Sequence, residues 1–80
     1  MHESVIVYRI LGEIRLKLPP GAALKTVRVE VGEFSCVNPK ALTQLFDIAK
    51  KNTFAAGSRL KCAVCRGAED IIIKSIEVAQ

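Results

Sequence analysis

Between Ser4 and Leu18 the apolar residues include Val7, Ile10, Leu11, Ile14 and Leu18. This 3–4 spacing, sustained over the whole segment, marks one face of a helix. Ser4 is available as N-cap, and Pro19-Pro20-Gly21 supplies the stop. Val5, Ile6, Val7 and Tyr8 are good strand formers, and Gly12 costs a helix about 1 kcal/mol relative to Ala. The persistence of the helical period outweighs both. From Leu24 to Val31 the period becomes two, with Val27, Val29 and Val31 alternating with Arg28 and Glu30, as in a half-buried strand ended by Gly32. Asn38-Pro39 then pairs an N-cap residue with proline at the first helical position. Leu42, Leu45, Phe46 and Ala49 follow at helical spacing, predicting a helix over about 39–51 with Lys50 and Lys51 in its last turn, where the dipole favours cations. Asn52 to Gly57 connects. Ser58–Val64 and Asp70–Val78 are predicted strands, and Cys65-Arg66-Gly67-Ala68-Glu69 between them is short enough for a hairpin turn, with Gly67 free to take positive φ. The order α-β-α-β-β predicts an α+β fold: a three-stranded mixed sheet with both helices on one face, in a single domain spanning 1–80.

Composition narrows the function classes. Eighty residues support one folded domain, and half apolar with a quarter charged is ordinary for such a domain. The net charge of +4 raises the question of a polyanion partner, but the basic residues are scattered, only Lys50-Lys51 are adjacent, and the four aromatics do not cluster. A solvated mixed-charge surface is therefore expected, with no nucleic acid bound. No stretch is long and apolar enough to span a membrane, and Glu3 and Arg9 spoil a secretory signal, so the cytoplasm is the expected compartment. Three cysteines, an odd number, speak against a secreted disulfide framework. Cys62-Ala-Val-Cys65 is a candidate metal or redox pair, although a reactive Cys-x-x-Cys favours a helix N-terminus and this one follows a strand-forming run. Cys36 is expected as a small packed side chain. With a single histidine there is no Ser-His or Cys-His pair, and no glycine-rich phosphate loop occurs, so the chain is not expected to be an enzyme.

The one histidine stands at position 2. The α-amine of Met1, the amide nitrogen and imidazole of His2, and the amide nitrogen of Glu3 can close adjacent chelate rings around one ion. A planar nitrogen-rich set suits Ni(II) or Cu(II), not Mg(II), Ca(II) or tetrahedral Zn(II). The α-amine has a pKa of about 7.7–8.0, so affinity should climb with pH. Such a site requires an unblocked Met1.

Met1-His2-Glu3 leads directly into the amphipathic helix, and the stretch from Val27 through Gly32-Glu33-Phe34-Ser35-Cys36-Val37-Asn38-Pro39 to Leu42 combines a valine-alternating strand, a short hydrophobic turn and a capped helix. With Leu45-Phe46-Asp47, Asn52-Thr53, Gly57-Ser58-Arg59-Leu60 and the closing Lys74–Val78, this resembles the HypA/HybF family of hydrogenase nickel-insertion proteins over nearly the whole chain. The resemblance implies Ni(II) bound by the N-terminal amine, His2 and the backbone of Glu3, and delivery to a nickel–iron hydrogenase large subunit, or in some members to urease maturation, with the GTPase HypB as partner. The family also carries a zinc domain with two Cys-x-x-Cys pairs before its last strand. Here that insert is reduced to a turn near 65–69, and Cys62 and Cys65 are too few for a four-ligand zinc site within one chain. Two chains could in principle share one, so the expected state is monomer or homodimer. A metal-free interaction or regulatory domain of the same descent is the alternative reading.

Overall fold

The computed structural model describes residues 3–79. Five elements follow in the predicted order: α1 (Glu3–Lys17), β1 (Ala23–Gly32), α2 (Pro39–Ala49), β2 (Arg59–Cys65) and β3 (Ile71–Ala79). The fold is α+β, with two helices and a mixed three-stranded sheet. In α1 the buried residues Ile6, Val7, Ile10, Leu11 and Ile14 form one continuous stripe, the consequence of the 3.6-residue turn acting on the spacing in the sequence. The helix already begins at Glu3, so Ser4 lies inside its first turn and is not the cap residue expected for it. Glu3 at the start and Arg15 and Lys17 at the end complement the helix dipole.

β1 is the middle strand, parallel to β2 and antiparallel to β3. Val27, Val29 and Val31 are all fully buried and share a face with Leu60 and Cys62 across one edge and Ile76, Ile73 and Ile71 across the other. Against this face lie the α1 stripe and Leu42 and Phe46 of α2. Burial of a side chain such as Phe46 contributes about 1.5–3 kcal/mol. Asn38 caps α2 as expected: its Oδ1 accepts from the Lys40 and Ala41 amides at 2.9 and 3.2 Å. The far end differs from expectation. α2 stops at Ala49, and Lys50 is the C-cap residue. The Lys50 Nζ donates to the Ser58 carbonyl at 2.6 Å and meets Asp47 at 3.2 Å. The chain leaves the helix through Asn52 at φ 61°.

The expected hairpin between β2 and β3 is not formed. These strands occupy opposite edges of the sheet, and residues 66–70 carry the chain across the end of β1. The crossing is bound to β1 and the residues after it. The Gly32 amide donates to the Asp70 carbonyl, the Glu33 amide to Cys65 and the Phe34 amide to Ala68, each at 2.9 Å. Gly67, at φ 76°, supplies the turn. The reason for this topology lies in the strands themselves. β1 has the most apolar inward face, and a hairpin would have left it at an edge while placing β2, with its exposed Arg59, Lys61, Ala63 and Val64, in the centre. Crossing over gives the valine strand a neighbour on each side.

Candidate metal centre

Of the three residues expected to bind nickel, Met1 and His2 lie outside the described residues, and Glu3 opens α1. Amides in the first turn of a helix have no intrahelical acceptor. The Glu3 nitrogen is thus outside the helical ladder, as a backbone ligand must be. Loss of its proton to a metal would be favoured by the positive end of the helix dipole. The Glu3 carboxylate is half-buried, and its Oε2 accepts from the Asn38 amide at 3.4 Å. Asn38 is the cap of α2, so the starts of both helices meet at one end of the molecule.

The loop joining β1 to α2 belongs to the same end. The Ser35 Oγ donates to the Gly32 carbonyl at 2.7 Å and accepts from the Val37 amide at 3.3 Å, a side-chain-closed turn typical of serine. This closure drives Cys36 to φ 61° and leaves it exposed, not packed as expected from the sequence. The reason is positional: the turn buries its neighbour Val37 and turns residue 36 outward. Glu33 has a structural partner, because its Oε1 accepts from the Gly67 amide at 3.1 Å. One end of the fold therefore gathers the start of α1, the 33–38 loop and the crossing segment. The contacts of Glu3 and Glu33 join residues more than thirty positions apart, and no local pattern announces such contacts.

Cys62 and Cys65 both lie in β2, which keeps an unbroken parallel register with β1. Residues three apart in a regular strand point to opposite faces. Cys62 faces the helices, with Sγ 3.7 Å from the Thr43 Oγ1, while Cys65 is directed to the other face. They do not converge on a common ion within the strand. Burial pushes the Cys62 thiol above its ordinary range, against a smaller opposing effect from the Thr43 hydroxyl. It stays protonated near neutral pH, which disfavours both metal ligation and nucleophilic attack. All three cysteines are free thiols. Among the described residues no group of three or more His, Cys, Asp or Glu side chains is placed to hold an ion. A nitrogen-ligated site at the chain start needs no such group. Among the same residues no helix is long and apolar enough to cross a membrane.

Residues 1–69 match the family model described as hydrogenase/urease nickel incorporation, metallochaperone, hypA. Over 69 residues the chain is 36% identical to the hydrogenase maturation factor HypA of Archaeoglobus fulgidus, covering 82% of this chain and 62% of the relative. Over 67 residues it is 34% identical to the hydrogenase maturation factor HypA of Crocosphaera subtropica, covering 84% and 58% respectively. The chain spans about three fifths of the length of the curated relatives it matches.

Proposed function

The chain belongs to the HypA family of nickel-incorporation metallochaperones, and from that premise we propose that it binds Ni(II) through Met1, His2 and Glu3 and delivers it for maturation of a nickel–iron hydrogenase, or of urease. The observation that carries this reading is that the family match runs from residue 1 and so includes the chelating start Met-His-Glu. The α-amine, the His2 amide and imidazole, and the Glu3 amide form a four-nitrogen square plane around the ion. The Glu3 amide lies outside the α1 ladder and so is available as a ligand. Nickel is cargo here, so the chemistry is capture and release, with no bond in a substrate made or broken. Release requires only reprotonation of the amine and amides as a partner supplies competing ligands. The GTPase HypB and the hydrogenase large subunit are the proposed partners, and the cytoplasm is the proposed compartment.

The test is calorimetric titration of Ni(II) into the untagged chain, its His2→Ala variant and a variant with two residues added before Met1. One ion per untagged chain is expected, with binding abolished in both variants and rising in affinity as the α-amine deprotonates near its pKa of about 7.7–8.0. Equal affinity with a blocked terminus would refute the proposal. Cu(II) should bind at least as tightly in vitro, following the divalent-ion affinity order.

A further inference from the structure

The two helices cover one face of the sheet, and the other face is open. We infer that this open face docks an acidic polypeptide segment, an extended run of Asp and Glu side chains lying across β2 and β1. Two shallow grooves meet on it, both lined by Arg28 and Lys61. One continues past Lys25 and Arg59, the other past Glu30 and Lys74. Five cations thus stand with only two carboxylates, Glu30 and Glu77, and both carboxylates are already engaged. Arg28 meets Glu77 at 2.8 Å, and Lys74 meets Glu30 at 3.9 Å. Lys25, Arg59 and Lys61 make no ion pair among the described residues. Most of the chain's net charge of +4 is therefore concentrated here, although the basic residues are scattered in sequence.

The register sharpens this. Arg28 stands directly opposite Lys61, and Thr26 opposite Arg59. Like charges facing one another across neighbouring strands are destabilising, and an anionic partner laid between them would relieve the repulsion. The chemistry favours carboxylates on a polypeptide over a single-stranded nucleic acid. Phe46 is in the core, Tyr8 and Phe54 line a groove beside α1, and Phe34 lies in the loop after β1. The open face has no aromatic on which bases could stack. Its flat, strand-length groove fits an extended chain. Glu3, the described residue of the proposed nickel site, lines neither groove.

The probe is an oligoglutamate peptide of about ten residues, enough to follow one strand, titrated into the isotope-labelled chain at low salt while backbone amide shifts are followed. Shifts are expected along β1, β2 and β3, and they should fade as salt screens the charges. Reversing Arg59 and Lys61 together (R59E, K61E) should weaken binding by about tenfold or more, whereas the equal charge change at Lys40 and Lys51 (K40E, K51E), which line neither groove, should weaken it less than about twofold. Arg59 and Lys61 are exposed, and thermal melts confirm that each variant is folded. Equal loss in both variants, shifts mapping to the helices, or no binding would overturn the inference. Tighter binding of an oligothymidylate, lost in the Arg59/Lys61 variant, would also overturn it and assign the face to nucleic acid.

Discussion

Gly32→Ala is the sharpest test of how the chain closes its sheet. An added Cβ at residue 32 would stand 2.6 Å from the Ala68 carbonyl oxygen, 2.8 Å from its carbon and 2.8 Å from the Asp70 carbonyl oxygen. All three are backbone atoms, so no side chain can swing aside. The crossing segment would have to retreat, stretching the bonds from Gly32 to Asp70 and from Phe34 to Ala68, now 2.9 Å each. Overpacking costs about 1–3 kcal/mol, and each weakened hydrogen bond adds about 0.5–1.5 kcal/mol. With two bonds weakened, a loss of about 2–6 kcal/mol is expected, a large share of the roughly 4–12 kcal/mol available to a chain this size. Urea denaturation followed by circular dichroism reads it directly, and the melting temperature should fall by about 8 °C or more. Gly12→Ala is the matched control, because a Cβ there meets nothing within 4 Å, and removing a helical glycine should stabilise α1 by about 0.5–1 kcal/mol. A Gly32→Ala protein within about 0.5 kcal/mol of the parent would refute the close crossing and reinstate a β2–β3 hairpin.

Asn38→Ala removes both cap bonds of α2 and the expected loss is about 0.5–2 kcal/mol by denaturation, while Asn38→Asp should retain most of the stability. Limited iodoacetamide treatment at neutral pH, analysed by mass spectrometry, should label exposed Cys36 well before Cys62, whose half-buried thiol resists ionisation. Because the folded state holds the Cys62 proton more tightly than the unfolded chain, its contribution to stability is fully present below the ordinary thiol pKa. That contribution is lost as pH rises through the raised folded value. Parent and Cys62→Ser stability curves should therefore differ in slope only on the alkaline side, and equal slopes there would contradict the burial argument.

The amino-acid sequence by itself determined every element, and all of their limits but the end of α2 to within one residue. The α1 stripe, the alternating valines of β1 and the Asn38-Pro39 start of α2 are local patterns whose period matches the backbone geometry that realises them. The proposed chelation by Met1, His2 and Glu3 is likewise a reading of consecutive residues, because ring closure among them needs no fold. Tertiary structure alone decided the strand order, the partial burial of Cys62, the exposure of Cys36, and the contacts of Glu3 with Asn38 and Glu33 with Gly67. A five-residue connection can turn back beside β2 or pass over the end of β1, and its own residues do not choose. The choice belongs to the burial of Val27, Val29 and Val31, which is greatest when strands flank them on both sides. The same separation of local from global explains the basic open face. Cations far apart in the chain became neighbours only when β2 and β3 paired with β1, because sheet pairing fixes distances that sequence separation leaves free.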